Sequence, residues 1–217
     1  MVEIPKSQTR LCLVRHGETA WNSDRRIQGQ TDIGLNNHGL AQADAAGRWL
    51  RRFPIRALYS SDLQRAFKTA ALIGGHLGLT PQPMPDLRER RYGIFEGLTY
   101  AEAQARHPDL YAAMNARDPA CDLVSGESLQ TLFARVTSAL GTLADRHPGE
   151  SIVVVVHGGV LDIVNRFVRG NPLAMPRDFL IPNAGLNWIA HSEGQWVLEA
   201  WGETGHLQPG ALDELPA

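Results

Sequence analysis

The sequence predicts an α/β protein, a three-layer α/β/α sandwich with a mostly parallel central sheet, and three observations carry that prediction. Residues 11–14 (Leu-Cys-Leu-Val) and 152–156 (Ile-Val-Val-Val-Val) are short aliphatic runs without the polar alternation of a strand that has one face in water. Such strands are covered on both faces. Helix-spaced apolar residues fill the intervals between the runs, which implies right-handed strand–helix–strand units. Both runs also lead into a His-Gly pair, so the chain makes a similar exit twice.

Taken in order, the strand at 11–14 is followed by a helix over 38–53, with Leu40, Ala43, Ala46, Gly47 and Leu50 on one face and Pro54 as its stop. A third, weaker strand at 55–59 runs into Ser60-Ser61-Asp62. These short oxygen-bearing side chains are suited to capping a helix that carries Leu63, Ala66, Phe67, Ala70 and Ala71. Residues 87–97 are too polar for a core element. The best helix spans 128–146, where Leu129, Leu132, Phe133, Val136, Ala139, Leu140 and Leu143 form one stripe that ends before His147-Pro148-Gly149. After the strand at 152–156, residues 183–190 and 196–201, separated by Glu193-Gly194, read as a final strand pair. Glycine and proline are spread over several turns and no repeat is visible, so 1–217 is expected to form one domain.

Composition narrows the function classes. Lys and Arg number 21 against 23 Asp and Glu, a net charge of −2, so there is no overall basic field for nucleic acid or an anionic membrane, and recognition of anions has to be local. An apolar run as short as 152–156 falls far below the roughly 20 residues of a membrane-spanning helix, and Arg15 interrupts the only apolar stretch near the start, so neither a membrane span nor a secretory signal is expected. Cys12 and Cys121 are too few for a disulfide framework and read as small buried hydrophobes, which fits a reducing, cytoplasmic setting. His38, His76, His107, His147, His191 and His206 share no metal-ligand spacing; His107 and His147 stand before prolines, where helices stop. The five tryptophans read as packing residues.

Chemistry concentrates at the exits of the strands. In open parallel sheets ligands collect at the carboxyl edge, where strand order reverses. Arg15-His16-Gly17-Glu18-Thr19 follows the first strand, His157-Gly158-Gly159 follows the later one, and Arg65 stands near the start of the helix after the third. Two guanidinium forks and glycine N–H groups at helix starts, Gly158 among them, suit a phosphate. An imidazole is neutral enough near pH 7 to attack phosphorus, so His16 is the candidate nucleophile and His157 the candidate donor to a phosphoryl oxygen. An alkoxide leaving group needs a proton, and Glu89, in the polar 87–97 segment, is the candidate acid that afterwards serves as base for water. Glu18 reads as a dipole partner or brace, and Glu96 as structural. Arg88, Arg90 and Arg91 read as a solvated loop, in preference to contacts with a second acidic group on the substrate, and Arg25 and Arg26 stay undecided between those roles.

Leu13-Val14-Arg15-His16-Gly17-Glu18-Thr19 with Trp21-Asn22 behind it resembles the signature of the histidine phosphatase superfamily, the phosphoglycerate mutase-like proteins. Ser60 to Ala66 with Thr69-Ala70, the Glu89 to Gly97 segment and Val156-His157-Gly158-Gly159 resemble its other motifs, in the same order, so the likeness covers about residues 11–160. The resemblance implies the phosphoglycerate mutase-like fold, Arg15, Arg65 and His157 as phosphate ligands, His16 as the phosphorylated residue and Glu89 as acid and base. It further implies that Asn22 helps bind phosphate and that Gln28-Gly29 lines the pocket mouth. Two arginines and two histidines supply the positive potential, so no metal or organic cofactor is expected. The expected partner is a small phosphomonoester, and the resemblance allows a homodimer. Hydrolysis is favoured over mutase-type transfer because the mutases have Asn where this chain has Gly159 and are longer between the Glu segment and the second His. Glu89-Arg90-Arg91-Tyr92-Gly93, by contrast, is similar to the mutases' own motif. An inactive phosphate-binding regulator is the least favoured reading, since all five charged residues are present.

Overall fold

The computed structural model describes residues 8–207. In chain order the elements are β1 (Thr9–Arg15), α1 (Ala20–Ser23), α2 (Asn37–Leu50), β2 (Ile55–Ser60), α3 (Gln64–Leu77), β3 (Gln82–Pro83), α4 (Tyr100–Arg106), α5 (Pro108–Asn115), α6 (Leu129–Arg146), β4 (Ser151–Val156), α7 (Gly158–Arg169), β5 (Leu186–Ser192) and β6 (Gln195–Glu203). They build a six-stranded sheet in the order β3-β2-β4-β1-β5-β6. β1 to β4 run parallel to one another, while β5 is antiparallel to both β1 and β6. The mostly parallel α/β architecture is the predicted one.

Side chains of β1 and β4 alternate between two apolar layers. Leu11, Leu13, Ile152, Val154 and Val156 pack with Leu132, Val136, Leu140 and Leu143 of α6 and Val160 and Val164 of α7. Cys12, Val14, Val153 and Val155 face the other way, against Ala46 and Leu50 of α2 and Ala66, Ala70 and Ile73 of α3. Complete burial of such a side chain contributes roughly 2 kcal/mol, and both faces of two strands benefit. A continuous aliphatic run is stable only between two helical layers. From β1 the chain leaves through α2 toward β2, whereas from β4 it leaves through α7 toward β5 on the opposite side. Strand order therefore reverses between β1 and β4, and their carboxyl ends open into a crevice.

Several boundaries differ from expectation. The helix expected over 38–53 ends at Leu50, because the residues before Pro54 turn out of the helix. Ser60, Ser61 and Asp62 do not cap α3. Its N-cap position is Leu63, the Gln64 N–H donates to Asp32 Oδ1 at 2.7 Å, and Asp62 is drawn off to Arg88. Phe67 and Ala71 lie on the outer face of α3, so its buried stripe is narrower than the pattern implied. The strand expected from 183 begins at Leu186. Residues 183–185 instead turn with Ala184 at φ +54° and serve the end of β1. Cys12 is buried as expected, but Cys121 is only half-buried, at the edge of a small cluster formed by Ile27, Phe95, Ala103, Met114 and Leu123 under the 93–123 segment. Among the described residues no helix is long and apolar enough to cross a membrane.

Candidate active site

Arg15 closes β1 opposite Val156 in the parallel register, and the His16 N–H donates to Val156 O at 2.9 Å. The residue after each strand therefore lands beside the other: the His16 and His157 rings lie 5.2 Å apart between centroids. The 183–185 turn fastens this edge, with Asn183 Nδ2 donating to His16 O at 3.0 Å and the Ala184 N–H to Arg15 O at 3.1 Å. Arg15 in turn donates to Ile181 O at 2.7 Å.

Arg65, the second residue of α3, donates to Gly29 O at 2.6 Å and Thr31 O at 3.0 Å. Those carbonyls are held in place by Glu96, whose carboxylate accepts from the N–H groups of Gln30, Thr31 and Tyr92 and from the Thr31 hydroxyl, at 2.8–3.1 Å. Gly29 has φ +54°, and a Cβ there would lie 2.2 Å from Glu96 Oε1, so the loop admits only glycine. Glu96 is thus structural, as expected. Glu18 is a brace rather than a dipole partner: it accepts from Ser23 Oγ and Asn36 Nδ2 at 2.8 Å each and from His38 at 3.2 Å.

Glu89 reaches the same place from the far side. Its Oε1 accepts from the Arg90 N–H at 2.7 Å and its Oε2 from the Gly159 N–H, in the first turn of α7, at 3.0 Å. Gln30 Nε2 and Arg135 Nη2 hold its carbonyl at 3.0 and 3.1 Å. A Cβ on Gly159 would stand 2.4 Å from Glu89 Oε1, so glycine is needed there for the carboxylate to occupy this position.

Arg15, His16, Arg65 and Glu89 line one cleft, together with Asn22, Gln28 and Gly29. His157 is fully buried against His16. Gly158 lies elsewhere than expected: with Gly159 and Tyr92 it lines a neighbouring pocket. Asn22 Oδ1 accepts from Thr19 N and Oγ1, the reciprocal half of a capping box in which Thr19 is the N-cap of α1. Trp21 departs from a pure packing role by lining the cleft. The solvated reading fails for one of the three arginines around Glu89. Arg90 is buried, donating to Glu127 O and Cys121 O, whereas Arg91 is exposed and Arg88, its side chain 39% exposed, pairs with Asp62 at the surface at 2.6 Å. Arg135, Gln30 and Asn183 gave no signal in the sequence, because a polar residue on a helix face or in a loop looks alike whether it meets water or a distant carbonyl.

A carbonyl can only accept, so the contact of 2.8 Å between His16 Nδ1 and Gly17 O places the ring proton on Nδ1 and leaves the Nε2 lone pair available. Burial above all, then the positive charges of Arg65 and Arg15, holds the His16 imidazole neutral well below its usual range; burial and Arg65 do the same to His157. Neither ring nitrogen of His157 meets a hydrogen-bond partner among the described residues, an arrangement that polar ligand atoms would complete. No group of three or more His, Cys, Asp or Glu among the described residues is arranged to hold a metal ion.

These lowered values link stability to pH. Below about pH 6.5 the unfolded chain binds protons on these histidines that the folded chain refuses, so stability is full above that pH and falls as the solution is acidified. Each histidine contributes up to about 1.4 kcal/mol per pH unit over that window, and His206, also lowered by burial, adds to it. Urea unfolding at about pH 7 and about pH 5.5 should give the lower free energy at acid pH, with a shallower slope in His16→Asn. A slope that is flat in the parent protein would refute the burial argument.

A mixed α/β sheet with a deep, arginine-lined cleft at its reversal point defines an enzyme built around an anion. The chain belongs to the histidine phosphatase superfamily (branch 1), whose family model matches residues 11–204, and it is a phosphatase enzyme. It is 41% identical over 202 residues to phosphoglycerate mutase-like protein 4 of Arabidopsis thaliana, covering 91% of this chain and 86% of that one. It is 36% identical over 211 residues to the metal-independent phosphoserine phosphatase of the same plant, covering 95% and 86%. The crystal structure of a phosphoserine phosphatase from Entamoeba histolytica in complex with 3-phosphoglyceric acid superposes with a TM-score of 0.83 at 28% identity, over 92% of this chain and 100% of that one.

Proposed function

We propose that the protein is a phosphomonoesterase acting on small phosphorylated metabolites through a phosphohistidine on His16. The observation that carries this reading is the free Nε2 lone pair of a neutral, buried His16 in a cleft lined by Arg15, Arg65 and Glu89. Arg15, Arg65 and His157 hold the phosphoryl oxygens, and Asn22, Gln28 and Gly29 line the way in. The Nε2 lone pair forms the N–P bond as the ester P–O bond breaks, and Glu89 gives its proton to the departing oxygen. The Nδ1–H bond to Gly17 O stabilises the positive charge that the phosphorylated ring acquires. Glu89, now a carboxylate, takes a proton from water; the water oxygen attacks phosphorus, the N–P bond breaks, and phosphate leaves with His16 neutral again. Phosphoryl transfer demands mainly positioning and charge, which these residues supply.

The relative named phosphoserine phosphatase supports hydrolysis, and the close contact at Gly159 ties the departure from the mutases' Asn to the seat of Glu89. A second reading, mutase-type transfer back to an organic hydroxyl, is favoured by the phosphoglycerate mutase-like relative. One experiment separates them: phosphate release from a panel of esters in the presence of chelator, with trapping of an acid-labile phosphoenzyme. Release with a trapped intermediate supports the hydrolase, whereas interconversion of phosphoglycerates without release establishes the mutase.

A further inference from the structure

The cleft carries more positive charge than a phosphate dianion uses. Its lining holds four guanidinium groups, Arg15, Arg25, Arg26 and Arg65, and one carboxylate, Glu89. Arg26 is satisfied locally, donating to Gly97 O and to Glu102 Oε2, the latter at 3.2 Å. Arg15 and Arg65 face the phosphate, and the Glu89 carboxyl is engaged by the N–H groups of Arg90 and Gly159. Arg25 is left over. Among the described residues its side chain makes no hydrogen bond or ion pair.

Its backbone is held all the same. Arg25 follows α1 with φ +53°, a conformation that strains an L side chain, and its N–H donates to Asn22 O at 3.1 Å. Thr19 caps α1, its hydroxyl accepting from the Asn22 N–H, and Glu18 ties Ser23 to the loop that carries His16. The guanidinium is therefore mounted on the same short stretch of chain as the nucleophile. Arg15, His16 and Arg65 are buried, whereas Arg25 is exposed, so the first three form the floor and Arg25 the rim. With the phosphoryl group on the floor, the organic part of the ester extends toward that rim.

We infer that Arg25 is a specificity-determining residue that binds a second acidic group, a carboxylate or a second phosphoryl group, on the leaving part of the substrate. This rests on the phosphomonoesterase reading and names the substrate class it acts on. A planar fork meets either oxyanion with paired hydrogen bonds, and among the described residues no side chain supplies Arg25 with such a partner.

The test compares three esters in the parent protein, Arg25→Ala and Arg25→Lys: phosphoserine, a sugar bisphosphate, and glycerol phosphate, whose leaving group is neutral. The expected result is that Arg25→Ala lowers the preference for one of the acidic esters over glycerol phosphate by about tenfold, through KM, with Arg25→Lys in between. The ester whose preference collapses identifies the acidic group. Calorimetric binding of phosphoserine, the bisphosphate and glycerol phosphate to the three proteins gives the same ratio without turnover. Unchanged ratios in Arg25→Ala overturn the assignment while leaving hydrolysis intact. If the parent protein hydrolyses none of the panel, the phosphomonoesterase reading fails, and the binding ratios still decide Arg25.

Discussion

His16→Ala is expected to lower phosphate release by about four orders of magnitude or more, and no acid-labile phosphoenzyme should be trapped. Without Nε2 there is no protein atom to receive the phosphoryl group, and water would have to attack directly in a site arranged for an imidazole. Arg15 and Arg65 keep their carbonyl partners in the variant, so an anion such as vanadate or phosphate should still bind. The check is single-turnover phosphate release alongside phosphate binding. Retained turnover with retained labelling would move the nucleophile elsewhere, and His157, against the same ring, would be the first place to look.

Glu89→Gln is expected to slow alkyl esters by about a hundredfold to ten-thousandfold in kcat with little change in KM, because a proton donor acts mainly in the transition state. The effect should shrink for an aryl ester, whose leaving oxygen departs without a proton. That contrast separates an acid from a merely structural carboxylate. Structure sharpens the expectation in one respect. Both oxygens of Glu89 accept N–H bonds, from Arg90 and Gly159, and an amide offers a single acceptor oxygen. The Gln side chain therefore loses one of the two anchors as well as the proton. Equal losses on alkyl and aryl esters would mean that position, not proton transfer, was removed.

Much of the fold could be read because its signals are local. Aliphatic runs at 11–14 and 152–156 announce strands covered on both faces, and the stripe from Leu129 to Leu143 announces a helix on a sheet; each depends only on periodicity and burial. Ends of elements were less legible. Ser61 and Asp62 had the chemistry of helix caps, yet the first amide of α3 is met by Asp32, more than thirty residues earlier in the chain, and Asp62 by Arg88. Residues 183–185 had strand character, but the backbone at Arg15 and His16 claimed their hydrogen bonds first. In each case a distant partner outbid a local preference.

By itself, the sequence determined which chemistry was present: two arginines, two histidines and a glutamate, each placed next to a turn that a parallel sheet collects at one edge. Tertiary structure decided how those groups are held and which of them are spare. It put the His16 proton on Nδ1 through Gly17 O, seated Glu89 on the Gly159 N–H, buried Arg90, paired Arg26 with Glu102 and left Arg25 at the rim. The reason is that residue type and spacing specify reactivity and local conformation, whereas protonation, charge pairing and close approach depend on distances between segments far apart in the chain, which exist only once the sheet has brought β1 and β4 together.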